Sequence, residues 1–197
     1  MKQRIMGLGI AVVLLLSSPV FAGAPLDAVQ ANVNKVFEVL RDPKLKAASA
    51  KELKKEKLRV IYKTMFDEIE LSKRTLTRNW NKLNDAQRKE FVNLFEQVLE
   101  KAYIDRILSY TNERVVFSRE KEIANNQVEV QTKVITSSKE VPIAYRVILA
   151  NDTWKVYDVV IENVSLVSNY RTQFNEILAK NTPEQLLEIL RKKVKAQ

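Results

Sequence analysis

The sequence predicts an α+β fold, with several helices packed on one face of a curved antiparallel sheet of about four strands. Two observations carry this. Apolar residues recur at helical spacing through residues 25–103 and again after 165. Between them lie four strand-length segments separated by Asn, Asp and Ser turns, so the strands form a sequential meander flanked by helices.

Pro25 and Asp27 open the first helix, which carries Leu26, Val29, Val33, Phe37 and Leu40 on one face and ends near Pro43. Ser49 and Glu52 form a capping-box pattern ahead of Leu53, Val60, Ile61 and Met65. The shorter segment LSKRTLTRNW follows. Asn84 and Gln87 make a second capping-box pattern, opening a long helix with Phe91, Leu94, Phe95, Val98, Leu99, Ala102 and Tyr103 on one side. Strands are expected at 114–123, 128–136, 141–150 and 153–161, joined by Asn125-Asn126, SSKE and Asn151-Asp152. Asn and Asp tolerate positive φ better than other residues with a Cβ, which suits tight hairpins in a segment without glycine. A helix from about 165 to 179 comes next, and Thr182 and Pro183 cap a last one through Leu186, Leu187 and Leu190. No repeat or long linker interrupts this order, so residues 23–197 read as a single domain.

Residues 1–22 have the pattern of a cleaved signal peptide. MKQR is a short basic start, IMGLGIAVVLLLSS is too short for a comfortable membrane anchor, and PVFA offers small residues before a cut after Ala22. Export is therefore expected, and with no Cys the fold must rest on its core rather than on disulfides. Without Lys2 and Arg4 the chain keeps 31 basic and 24 acidic residues. The bases are spread along the chain without an exposed aromatic ladder, which argues against nucleic acid. Outside the cytoplasm, anionic membrane surfaces are the commoner polyanion, so transient membrane-surface contact is expected.

Several chemistries are excluded outright. The glycines are Gly7, Gly9 and Gly23, so the mature fold holds no P-loop, dinucleotide fingerprint or nucleophile elbow. The absence of His and Cys removes zinc sites of that type and every Ser-His or Cys-His pair. Among carboxylates, Asp158 and Glu162 would lie roughly 13 Å apart along an extended strand, beyond the spacing of glycosidase pairs. Asp67, Glu68 and Glu70 read as a solvated helix end, and the neighbours Ser72 and Lys73 do not face each other on a helix. The sequence argues against an enzyme, and neither metal nor cofactor is expected.

Apolar positions are more informative. The strand near residue 156 carries Val156, Tyr157, Val159, Val160 and Ile161, apolar on both faces, so both faces must be covered or line something apolar. By periodicity Phe91, Phe95, Tyr103, Tyr145, Val147, Val156, Val160, Val164, Val167, Tyr170 and Phe174 look inward. Pattern alone does not separate a filled core from a hollow one. Tyr170 should press its ring on the sheet, and Arg171 should bridge to Asp158 or Glu162.

These residues carry a resemblance. VYDVVIENVSLVSNYRTQF is similar to the signature of the MlaC/toluene-tolerance family of lipid carriers, through Val156, Asp158, Glu162, Val164-Ser165, Asn169-Tyr170-Arg171 and Gln173-Phe174. Leu76, Arg78 and Trp80 match its upstream Leu-x-Arg-x-Trp segment, and Gln87, Phe91, Phe95 and Tyr103 the helix after it. Asn163 and Thr77 stand where glycine is common in the family; Asn163 still permits a left-handed turn. The resemblance implies that helices and sheet enclose an apolar cavity for phospholipid tails. Its lipid-binding residues would be Trp80 together with the inward set above. It also implies a non-enzymatic periplasmic shuttle whose partners are an outer-membrane lipoprotein complex and an inner-membrane ABC transporter with a substrate-binding ring. The alternatives are a hopanoid or other polycyclic lipid carrier of the same family, and a small enzyme on a cone-shaped α+β fold with Asp158 as base.

Overall fold

The computed structural model describes residues 24–110 and 112–196; the expected leader lies outside the described residues. Four helices come first, α1 (Ala24–Arg41), α2 (Lys51–Met65), α3 (Glu68–Leu76) and α4 (Asp85–Leu108). The strands β1 (Arg114–Ala124), β2 (Gln127–Ile135), β3 (Glu140–Ala150), β4 (Thr153–Ile161) and β5 (Val164–Ser165) follow, then α5 (Leu166–Leu178) and α6 (Pro183–Ala196). The fold is α+β as expected. The strands pair antiparallel in sequence order, and the sheet has a fifth member, the two-residue β5, beyond the four strands the sequence predicts. Beyond the end of β5, the free edge of β4 is met by the α2–α3 connection, where Phe66 bridges Val156 and the Asp67 N–H donates to the Val156 carbonyl at 2.9 Å.

Turn chemistry follows the residues. Asn126, Asn151 and Asp152 take positive φ in the hairpins, and Asn163 does so at φ 68° between β4 and β5. Asn84 and Gln87 form the expected reciprocal capping box of α4, and Ser165 caps α5 by accepting from the Ser168 N–H. The box expected from Ser49 and Glu52 does not form: the chain enters α2 through a 3₁₀ turn at Ala48–Ala50, and the N-cap position falls on Ala50, which offers no side-chain cap. A capping Ser needs extended backbone, which a 3₁₀ turn denies it.

Thr77, at the junction of α3 and a 3₁₀ turn, sits at φ 49°, ψ −125°. A β-branched residue there is strained by about 1–3 kcal/mol. Thr77→Gly should therefore stabilise the protein by about 1 kcal/mol, after the extra chain entropy that glycine loses on folding is deducted. Thermal melting beside wild type reads this as a rise of about 2–4 °C.

Two packed regions result. One is helical, where α3, α4, α5 and α6 bury Leu76, Phe91, Phe95, Val98, Val167, Tyr170, Phe174, Leu186, Leu187 and Leu190. Its centre is aromatic: the Phe95 ring lies 4.9 Å from Tyr170 and 5.3 Å from Phe174, both edge-on. The other joins α1 and the end of α2 to the sheet through Val29, Val33, Met65, Val130, Val147, Val156 and Val159. An apolar-lined cavity under the helices lies against this second region.

Candidate functional site

A β-bulge decides which side chains of β4 face the helices. Val147 pairs with Val156, whereas the preceding Arg146 pairs with Asp158, so Tyr157 is the extra residue. Inserting one residue reverses the alternation of side chains. Before the bulge Val156 shares the face of Val147; after it Val159 and Ile161 share the face of Tyr145 and Ile143, while Val160 falls on the opposite face beside Ala144. The doubly apolar strand thus changes register at Tyr157.

On the helix-covered face lies a cavity of about 280 Å³. Its sheet floor is Val115, Val134, Ile143, Tyr145, Val159 and Ile161. Helix α1 contributes Val33, Val36, Phe37 and Leu40; α2 contributes Leu58, Arg59, Tyr62 and Met65; α4 contributes Glu96, Leu99, Glu100, Tyr103, Ile104, Arg106 and Ile107. Phe66, Leu71, Tyr110 and Leu166 complete the wall. All four charged members come from α2 and α4, and the rest of the lining is aliphatic or aromatic.

The charged side is organised. Lys51 reaches Asp105 at 3.5 Å, Arg59 reaches Glu100 at 2.6 Å, and Lys63 reaches Glu96 at 3.8 Å. Arg59 grips Glu100 with two parallel N–H donors, Nε and Nη2, the geometry that makes guanidinium–carboxylate pairs strong. The backbones of α2 and α4 hardly approach each other, whereas α1 lies along α2. A row of ion pairs therefore spans α2 and α4 beside the cavity. Arg59 and Arg106 are solvent-accessible, which places the water side of the cavity there.

Burial sets the titration directions of the cavity tyrosines. Burial pushes the Tyr145 hydroxyl up to about 12 and raises Tyr62 and Tyr103 as well. Burial, with the neighbouring Glu96 charge, also raises Glu68, whose Oε1 is buried without a hydrogen-bond partner. Glu68 was expected on a solvated helix end; its half-buried position corrects that reading. Asp67 does cap the helix, accepting from the Glu70 N–H at 2.9 Å.

Of the lipid-binding residues expected from sequence, the structure brings Tyr103 and Tyr145 to the cavity wall. Phe91, Phe95, Val167, Tyr170 and Phe174 lie instead in the filled helical region, because α5 and α6 close over that side of α4. Trp80 packs on the same region, with the Arg88 guanidinium 5.6 Å from its ring centre. Val147 and Val156 are fully buried among the packed residues next to the cavity, and the bulge turns Val160 to the far face. Val164 on β5 is 56% exposed. The missed residues had a signal: Leu99, Ile104 and Ile107, beside the expected Tyr103, widen the apolar side of α4 beyond one stripe, and Val36 does the same on α1.

Behind the sheet, Asp158 is 2% exposed and its carboxylate is fully engaged. It accepts from Arg146 Nη1 at 3.2 Å, Ser165 Oγ at 2.6 Å and the Val167 N–H at 3.0 Å. A carboxylate with a partner on each oxygen ties β3 to the start of α5. Arg171, expected to bridge to Asp158 or Glu162, donates from Nε to the Arg74 carbonyl at 3.0 Å, while Glu162 pairs with Lys139 at 3.2 Å. The side chain points across to α3 because Arg146 already fills the Asp158 position. Arg171 therefore ties α5 to α3.

An antiparallel sheet roofed by helices over an apolar cavity, with charge confined to one side, defines a binding fold for an apolar ligand. The chain belongs to the MlaC family, whose model, described as MlaC protein, matches residues 30–192. It is 27% identical over 106 residues to the intermembrane phospholipid transport system binding protein MlaC of Haemophilus influenzae, covering 51% of this chain and 50% of that one. The chain thus matches about half the length of this curated relative. Its fold is similar to that of a phospholipid-binding protein from Ralstonia solanacearum solved in complex with a phospholipid. The TM-score is 0.76 at 21% identity, over 86% of this chain and 96% of the other.

Proposed function

We propose that this protein is a phospholipid carrier of the periplasm that holds acyl tails in the cavity and leaves the headgroup at the charged α2–α4 side. The observation that carries this reading is the cavity, whose floor and α1 wall are apolar while Arg59, Glu96, Glu100 and Arg106 gather on the water side. Family membership and the printed names of the two relatives support it. The need for such a carrier is physical. A buried CH₂ is worth about 0.8 kcal/mol, so one chain of ~16 carbons costs on the order of 12 kcal/mol to expose to water. A cavity that replaces the bilayer interior lowers this cost without forming or breaking a bond, so the reading requires no enzyme. On this reading residues 1–22 direct export, and the carrier moves lipid between an outer-membrane lipoprotein complex and an inner-membrane ABC transporter with a substrate-binding ring.

Transfer of a fluorescent phospholipid between donor and acceptor vesicles tests it. The expected result is transfer that rises in proportion to added protein. No acceleration over the protein-free rate would contradict the proposal.

A further inference from the structure

One wall of the cavity carries a local run of positive charge. Helix α2 carries Lys51, Lys54, Lys55, Lys57, Arg59 and Lys63 against Glu52 and Glu56, and Lys44 and Lys46 precede it. Lys51, Arg59 and Lys63 are engaged by α4, and Lys55 by Glu52 at 3.0 Å. Lys54 and Lys57 form no ion pair with a described carboxylate. On the outward stripe, Leu53 is 54% exposed and Val60 58% exposed, two turns apart with exposed Lys57 between them. Two half-exposed aliphatic side chains two turns apart form a small apolar pair on this outward side. Bare apolar groups flanked by unpaired lysines are the composition of a helix that lies in a membrane interface. The opposite side of the same helix, through Leu58, Tyr62 and Met65, lines the cavity.

We propose that α2 is the face by which this protein docks on an anionic phospholipid bilayer. Lys54 and Lys57 meet headgroup phosphates, and Leu53 and Val60 enter the interface between headgroups and acyl chains. The proposal rests on the carrier reading and adds where the bilayer sits. A bilayer fits better than an acidic protein because the docking helix is itself a cavity wall, so a tail leaving the bilayer reaches apolar surface without crossing the open solvent. Arg59 and Lys63 lie at the same junction, where anionic headgroups compete with Glu100 and Glu96 for them.

Co-sedimentation of the full chain with phosphatidylglycerol–phosphatidylcholine vesicles and with pure phosphatidylcholine vesicles tests this. Wild type should bind the anionic vesicles, ignore the neutral ones, and let go as salt rises past the point where screening falls within ~8 Å. Each lysine near an anionic surface is worth about fivefold, so the double variant Lys54→Gln/Lys57→Gln should bind about 30-fold more weakly. Leu53→Ser/Val60→Ser should lose about tenfold through the apolar anchors. All four positions are solvent-accessible, so both variants should melt as wild type does. Wild type that ignores anionic vesicles overturns the proposal, as do folded variants that bind them like wild type. Mass spectrometry of lipid extracted from the same preparations separates the two levels. Lipid in every preparation with vesicle binding unaffected by either variant removes the docking face and leaves the carrier, whereas wild type without lipid removes the carrier reading itself.

Discussion

Phe95→Ala should lower the unfolding free energy by about 3–5 kcal/mol, read as a fall in the denaturant midpoint at unchanged slope. Phe95 is 1% exposed and its ring meets Phe91, Tyr170 and Phe174 at 4.9–5.7 Å between centroids. Removing it takes away buried area and leaves a hole that α4, α5 and α6 cannot close without breaking the contacts of the other three rings. The same variant should leave lipid uptake by the remaining folded protein intact, because none of these four rings lines the cavity. A loss below about 1 kcal/mol would show that the helical region is not the packed support described here.

One substitution placed at two points of β3 distinguishes hollow from filled. Ile143 and Val147 lie on the same face of the strand, Ile143 on the cavity floor and Val147 fully buried in the packed region. Ile143→Trp projects extra volume into open space, so stability should change by less than about 1 kcal/mol. Phospholipid loading should fall at least about tenfold, since the tails lose the room they would occupy. Val147→Trp has no space to enter and should cost about 3 kcal/mol through forced rotamers and backbone shifts. Chemical denaturation of both, with lipid quantified per folded protein, reads the contrast. Equal destabilisation at the two positions would mean that the cavity is closed in solution.

The elements were legible because local chemistry agreed with them. Asn84 and Gln87 mark the start of α4, and Asn126, Asn151 and Asp152 supply the positive φ of the hairpins. The cavity wall was legible only in part, for two physical reasons. Inward residues of a filled region and of a hollow one have the same periodicity, so Phe91, Phe95 and Phe174 could not be told from Tyr103 by spacing. The bulge at Tyr157 breaks the two-residue period at the place where the floor is built, which hides Val159 and Ile161 and promotes Val160. A bulge without glycine leaves little trace in sequence; here the trace was apolar residues on consecutive positions of β4. Arg171 was misassigned because the competitor for Asp158, Arg146, comes from a neighbouring strand, and pairing register is a tertiary fact.

The most direct measurement is to purify the protein from its source cells under mild conditions, extract it with organic solvent, and identify and count the lipid. A carrier with an apolar cavity should yield phospholipid in near-equimolar amount, and Ile143→Trp should yield little. Protein that carries no lipid, or that carries a polycyclic lipid in place of phospholipid, would contradict the account.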